Sequence, residues 1–231
     1  MKTILFQGDS ITDCGRLRNE KSGSIMKCCY KLTKKTNLGS GYPALVAKKL
    51  SSVADEEYKF INRGVGGDRI PDVYARIVRD IISVKPDCMS LLVGVNDVWH
   101  GMDFNNGTGI KRFEKVYNIL LEELKEELPE TKIMILEPFV LEGPATANRD
   151  GQPDRYKKFR SGVEEVAEKT EELADRHSLK FVPLQKMLDE EAKKVLPTEL
   201  LSDGVHPTAK GHELIMGEWI KAYNEIKYIE C

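Results

Sequence analysis

The chain has 231 residues, 41% of them apolar, which is enough to bury one substantial core, so a single domain over residues 1–231 is expected. Thirty-five Lys and Arg against 37 Asp and Glu give a net charge of −2, without the broad basic field that draws a protein to nucleic acid. The N-terminal apolar run is cut short by Gln7, Gly8 and Asp9, and no later run reaches the length of a membrane span, so no membrane partner and a cytoplasmic location are expected.

The first strand is predicted over residues 3–6 and runs into Gly8-Asp9-Ser10-Ile11-Thr12, a strand-to-helix turn. A serine there has its N–H at a helix N-terminus, where unpaired donors favour negative charge, and its hydroxyl is placed for acyl chemistry. An ordinary helix N-cap is the competing reading. From Arg16 to Gly41 the rhythm breaks into a charged, polar stretch that would cross the C-terminal edge of the sheet, either as a lid or as a solvated loop. Within it Cys28 and Cys29 are adjacent; the five cysteines (14, 28, 29, 88, 231) show no C-x-x-C pair and no zinc spacing, so reduced thiols are the simplest reading.

A second strand over 58–62 leads to Asn62-Arg63-Gly64-Val65-Gly66-Gly67-Asp68, a turn that lets backbone approach a ligand. A dinucleotide fingerprint would place a third glycine where Arg69 stands and would follow the first strand, so the nucleotide reading is weak. An N–H of this loop can equally face an oxyanion, with Gly67 the natural candidate. The third strand, 88–93, ends in Gly94-Val95-Asn96-Asp97; Asn96 offers two amide hydrogens or simply forms the turn. Helical periodicity follows over 110–128, then a strand over 133–136, a helix over 159–174, a strand over 179–182 and a last helix over 215–226. The alternation predicts a three-layer α/β fold.

Before the last helix, Asp203-Gly204-Val205-His206-Pro207-Thr208 puts a carboxylate and an imidazole on one short loop. That spacing lets Asp203 accept from Nδ1 and leaves Nε2 free to take a proton from a serine. His177 is expected as a packed or capping residue and His212 lies within the final helix. Asp203, His206 and His212 form a conceivable metal set, but no further ligand cluster accompanies them and none is expected to bind.

Together the blocks at Gly8-Asp9-Ser10, 62–68, Gly94-Val95-Asn96-Asp97 and Asp203-Gly204-Val205-His206-Pro207 resemble the SGNH hydrolase superfamily, also called the GDSL esterases and lipases, over the whole chain. The departures are Ile11 in place of a leucine and Gly66 where many relatives have serine; neither removes a reacting group. The resemblance implies a flavodoxin-like α/β/α sandwich on a central parallel five-stranded sheet, with Ser10 as nucleophile, His206 as general base and Asp203 as its orienting carboxylate. It also implies an oxyanion hole of the Ser10 N–H, the Gly67 N–H and the Asn96 amide, and no metal or organic cofactor. Residues 94–100 and 137–139 are similar to the carbohydrate-acetylesterase-like branch. The expected substrate is therefore a small or oligosaccharide ester, an acetyl ester first, with Asp9, Arg69, Trp99 and His100 as substrate contacts; packing is the other, more common role of a tryptophan beside a strand end. Arg16, Arg18 and Arg69 can bind an anionic group or form structural salt bridges. A lysophospholipase or thioesterase, and a non-hydrolytic protein binding ligands in the same cleft, are the alternatives.

Overall fold

The computed structural model describes residues 1–18, 36–53 and 57–227. In chain order these form β1 (Lys2–Gly8), α1 (Ser10–Asp13), α2 (Tyr42–Val53), β2 (Tyr58–Asn62), α3 (Ile70–Tyr74), α4 (Ile77–Asp80), a 3-10 turn (Ile82–Val84) and β3 (Cys88–Leu92). Then come α5 (Val95–Phe104), α6 (Ile110–Glu127), β4 (Lys132–Leu136), α7 (Arg155–Arg176), β5 (Lys180–Val182), α8 (Gln185–Ala192), α9 (Pro197–Leu200) and α10 (Ala209–Ile226). The five strands match the predicted ones to within two residues at each end. The lid-or-loop stretch and the Cys28–Cys29 pair fall largely or wholly on residues 19–35, outside the described residues.

All neighbouring strands are parallel, in the order β2-β1-β3-β4-β5, the flavodoxin-like arrangement. Side chains of a strand alternate between faces, and the two cores follow that period of two. Ile4, Phe6, Leu92, Met134, Leu136 and Val182 pack with Tyr42 and Val46 of α2 and with Ile215 and Trp219 of α10. Leu5, Met89, Leu91, Ile133 and Ile135 pack on the other face with Phe113, Tyr117 and Leu124 of α6 and Leu173 of α7. Burial on both sides explains why the strands read as near-continuous apolar runs. Each such side chain contributes roughly 1.5–3 kcal/mol through removal from water. Among the described residues, no helix is long and apolar enough to cross a membrane.

The chain leaves β1 toward β2 on one side, and β3 lies on the other, so the strand order reverses at β1. Open α/β sheets form their crevice outside the C-terminal ends of the strands at such a switch point. Register places Phe6 opposite Asn62, Gly8 opposite Leu92 and Leu92 opposite Leu136, which brings the ends of β1, β2, β3 and β4 to one rim. Gly8 makes the exit from β1 possible. Its φ is +156°, and a Cβ there would strike the Leu92 carbonyl oxygen and Thr12 Oγ1.

Candidate active site

Ser10 is the first residue of α1. Asp9 caps that helix, its Oδ1 accepting the Ile11 N–H at 2.9 Å, which is the bond that favours aspartate at an N-cap. The Ser10 N–H is thereby left at the start of the helix, and among the described residues no acceptor engages it.

The partner group comes from residues 202–206, between α9 and α10. A bridge between Leu201 and Pro207 and the Ser202 N–H donating to the His206 carbonyl at 2.8 Å close this loop. Asp203 Oδ1 accepts the N–H groups of Val205 and His206 at 2.9 and 2.8 Å, which fixes the carboxylate and aims Oδ2 at the imidazole. His206 Nδ1 donates to Oδ2 at 2.7 Å. A neutral imidazole that donates from Nδ1 keeps its lone pair on Nε2, and Ser10 Oγ lies 2.9 Å from Nε2 across 196 positions of sequence. The geometry is that of a hydroxyl, a base able to take its proton and a carboxylate that holds the base in one tautomer.

Electrostatics agrees with this arrangement. Burial pulls the His206 pKa down, but the hydrogen bond and charge of Asp203, with the charge of Asp9 behind them, outweigh it and hold it above the ordinary value. For Asp203, burial acts upward and is overcome by the His206 ring and the two loop N–H groups, so its pKa is lowered. Asp9 is 1% exposed and its Oδ2 has no hydrogen-bond partner. Burial pushes its pKa up to about 7, against the pull of the Ile11 N–H and of His206.

The glycine turn after β2 is latched to the serine turn. Asn62 Nδ2 donates to the Thr12 carbonyl at 2.7 Å, the Val65 N–H to the Gly8 carbonyl at 3.0 Å, and the Gly66 N–H to Asp13 Oδ2 at 3.2 Å. Gly67 stands free at the tip, with a φ of +86° and no atom within 4 Å of where a Cβ would lie. Its N–H meets no acceptor among the described residues. Asn96, in the first turn of α5, donates one Nδ2 hydrogen to the Asp68 carbonyl at 3.0 Å; a primary amide has a second hydrogen to offer. Asp97 ties the same parts together, its carboxylate accepting the Ile70 N–H and the Thr108 hydroxyl. Burial raises its pKa to about 7, opposed by the Thr108 and Ile70 bonds.

The residues expected to touch substrate divide. The Asp9 carboxyl is buried beneath the helix start. Arg69 is committed to the fold, with Nε and Nη2 on Asp72 and Nη1 on the carbonyl and side chain of Asn106. Arg16 and Arg18 are likewise engaged, with the Gly64 carbonyl and Asp13 respectively. Trp99 is half-buried, its ring centroid 6.0 Å from that of His206 and 5.8 Å from that of Phe159. His100, also half-buried, packs edge-on against Phe104; burial and the nearby Arg69 lower its pKa. His177 caps α7 and meets Asn118 Oδ1 at 2.9 Å, and His212 accepts the Tyr42 N–H on Nδ1. A separate groove of about 400 Å³, lined by Val98, Gly101, Gly107, Ile110 and Phe113 among others, contains none of Ser10, Asp203 and His206. Among the described residues no group of three or more His, Cys, Asp or Glu is placed to hold a metal ion.

Sequence reasoning passed over Asp103 and Arg155. Asp103 accepts from Trp99 Nε1 at 2.8 Å and from the fork of Arg155 at 2.7 and 2.8 Å. The residue types gave a faint signal, an aspartate four positions after a tryptophan on one helix face.

Comparison with known proteins gives the same picture over nearly the whole chain. An acetylxylan esterase from Geobacillus stearothermophilus is 33% identical over 228 residues, 94% of this chain and 92% of that protein. A solved structure of such an esterase from the same organism superposes with a TM-score of 0.78 at 30% identity, covering 96% of this chain and 93% of the other. A protein described as a GDSL-like lipase, from Parabacteroides merdae, superposes with a TM-score of 0.82 at 33% identity, covering 96% and 95%. Structures of the esterase described as catalytic mutants replace a serine, an aspartate and a histidine, the last two spaced three positions apart as Asp203 and His206 are here. The model of the GDSL-like Lipase/Acylhydrolase family matches residues 6–214, and the chain belongs to that family.

Proposed function

We propose that this carboxylic ester hydrolase removes acetyl groups from the hydroxyls of a carbohydrate, with Ser10 as nucleophile, His206 as general base and then general acid, and Asp203 as the group that holds the imidazole. The observation that carries the reading is the unbroken line from Asp203 Oδ2 through His206 to Ser10 Oγ, 2.7 and then 2.9 Å. Ser10 Oγ attacks the ester carbonyl carbon while its proton passes to His206 Nε2, and the carbonyl π electrons move onto oxygen. That oxyanion is received by the Ser10 N–H, the Gly67 N–H and the remaining Asn96 Nδ2 hydrogen, donors fixed before the reaction begins. Collapse breaks the bond to the sugar oxygen, which takes the proton from His206 and leaves as a free hydroxyl, while the acetyl group stays on Ser10 Oγ. Water then attacks the acetyl carbon as its proton passes to His206, and collapse breaks the bond to Ser10 Oγ, which takes that proton back as the acetyl group departs as acetate.

The leaving oxygen must lie beside His206 Nε2 to be protonated, so the sugar that carries it lies beside Trp99, whose ring centroid is 6.0 Å from the imidazole. An indole face suits the apolar C–H face of a sugar ring. The acetyl preference is supported by the 33% identity to a protein named acetylxylan esterase.

Intact-mass analysis after exposure to a serine-directed organophosphonate, with wild type and Ser10→Ala in parallel, tests the nucleophile: the adduct is expected on wild type alone. Acetate release from acetylated xylo-oligosaccharides, set against butyryl and longer acyl esters of the same alcohol, tests the substrate. An unmodified wild type defeats the acyl-enzyme route, and equal or better turnover of the long esters defeats the acetyl assignment.

A further inference from the structure

Arg155 is an unusual residue to find at the bottom of a packed interface. It is 1% exposed at the start of α7, yet the structure gives every one of its donors a partner. Nη1 donates to Asp103 Oδ1 at 2.7 Å and to Gln152 Oε1 at 3.0 Å; Nη2 donates to Asp103 Oδ2 at 2.8 Å. Nε and Nη2 both donate to the Ala145 carbonyl, at 3.0 and 2.9 Å. A guanidinium has five N–H groups in a rigid fork, and all five are used. A cation so far from water is tolerated only when its donors are met in this way.

The two ends of this network point to the two sides of the reacting histidine. At one end Asp103 Oδ2 accepts the Trp99 indole N–H at 2.8 Å, which fixes the plane of the ring beside His206. At the other the Ala145 N–H donates to the backbone carbonyl of Asp203 at 2.8 Å, and the neighbouring Leu141 N–H donates to the Gly204 carbonyl at 2.9 Å. Gly143 lies so close to Asp203 and Gly204 that a Cβ on it would overlap their backbone. The segment 141–147 therefore serves as the floor on which the Asp203–His206 loop rests, and Arg155 holds that floor to α5.

We propose that Asp103 and Arg155 are positioning residues for the catalytic apparatus: one buried bidentate pair sets both the aromatic wall beside His206 and the backbone that carries Asp203. The inference rests on the serine-esterase reading above and deepens it, since neither residue touches Ser10, His206 or the place where an ester carbonyl would sit. A shift of about 1 Å in such a support is enough to slow a reaction by as much as 10²-fold. A tie that merely stabilised the fold would lower the unfolding midpoint and leave the chemistry of the folded protein unchanged.

The test compares Arg155→Lys, Asp103→Asn and, as a control, Arg149→Ala. Arg149 meets the same Asp103 oxygen at 2.9 Å and the same Gln152 Oε1 at 2.8 Å, but its side chain is 52% exposed and it makes no bond to Ala145. Rates are taken on folded protein, below each variant's unfolding midpoint, with p-nitrophenyl acetate and an acetylated xylo-oligosaccharide. Arg155→Lys is expected to lower kcat for both substrates by about 10- to 10²-fold and to move the acid limb of the pH profile to lower pH, because a looser Asp203 supports the imidazolium less. KM for the aryl ester is expected to stay within about twofold, KM for the oligosaccharide to rise, and Arg149→Ala to match wild type. Asp103→Asn, which keeps the volume and one oxygen, is expected to move in the same direction and is the deciding variant if Arg155→Lys does not fold. A folded variant of the pair with wild-type kcat and an unmoved acid limb overturns the proposal, as does Arg149→Ala with the same losses. Phosphonate adduct formation separates this outcome from failure of the underlying reading: a wild type that takes no adduct removes the nucleophile, whereas wild type and Arg155→Lys labelled at equal rates remove only the positioning roles.

Discussion

Ser10, Gly67 and Asn96 leave the C-terminal ends of three hydrogen-bonded neighbours, β1, β2 and β3, whereas Asp203 and His206 sit on a loop between two helices that no strand delivers directly. The first group inherits its spacing from the register of a parallel sheet buried on both faces. Its loops are short and tied to one another by backbone bonds such as Val65 N–H to Gly8 carbonyl at 3.0 Å. The second group depends on contacts with segment 141–147, and through it on the buried pair of Asp103 and Arg155. On the proposed mechanism, electrophilic stabilisation is thus built into the rigid part of the fold, while proton transfer depends on side chains and loops far apart in sequence.

The largest expected effect breaks the loop-borne half alone. Asp203→Asn keeps the volume of the carboxylate but removes the charge that fixes the Nδ1–H tautomer, and kcat is expected to fall on the order of 10⁴-fold with little change in KM. Steady-state kinetics alongside a thermal unfolding curve checks this; a loss under tenfold would mean that His206 is held by the loop backbone and not by the acid. Asn96→Ala breaks the sheet-borne half, removing one of the three proposed oxyanion donors at an expected cost of about 10²- to 10³-fold in kcat. Its pH profile is expected to match wild type, because the Asp203–His206 pair is untouched. Together the two profiles measure how independent the halves are.

The contrast between the halves also decides what could be read from the sequence. The strands were legible because burial on both faces writes itself as short apolar runs, and Ser10, Gly67 and Asn96 were legible because they follow those runs by a few residues. Asp203 and His206 announced themselves by sharing one short loop. What escaped was the long-range side-chain pairing that no motif marks: Arg155 meets Asp103 across 52 positions and lies just before the helix predicted over 159–174, in none of the four blocks. Sequence adjacency also cannot tell that Asp9 caps α1 or that Arg69 pairs with Asp72. Glu137 illustrates the same limit, since its carboxylate accepts the Leu184 and Gln185 N–H groups and so anchors the start of α8 beyond β5.

A smaller effect probes the floor beneath the loop. Gly204 has a φ of +99°, and a Cβ on it would overlap Thr146 Oγ1 and the Leu141 carbonyl oxygen. Gly204→Ala is expected to lower stability by roughly 2–3 kcal/mol, from the left-handed backbone and the overlap together, and to lower kcat with it. Gly67→Ala meets the backbone cost without the overlap, since nothing lies near its Cβ, so its loss of stability is expected to be the smaller of the two. Urea unfolding of both variants checks the order, and the reverse order would place the strain on the sheet side.

Asp9 links the two halves, because it caps the helix that begins with Ser10 and its charge acts on His206. Activity needs the neutral imidazole, so kcat/KM rises with pH as His206 loses its proton, at a pKa above the ordinary value. Asp9 is one of the charges that raise that pKa, but burial leaves it only partly ionised near pH 7; Asp9→Asn, which keeps the capping oxygen, is therefore expected to shift the acid limb to lower pH by a small amount. The stability change has its own sign. The Asp9 carboxyl has a pKa of about 7 in the folded protein against 3.8 as the ordinary value, so the unfolded chain ionises first. Its contribution is most favourable below about pH 4, declines as the pH rises to about 7, and is constant above that. Asp9→Asn removes this slope, so the variant is expected to be more stable than wild type at pH 8 and closest to it at pH 4. Urea unfolding at several pH values, together with kcat/KM profiles, measures both effects; an unmoved acid limb would show that Asp9 carries no charge the imidazole feels over the range in which His206 titrates, leaving the two halves electrostatically separate there.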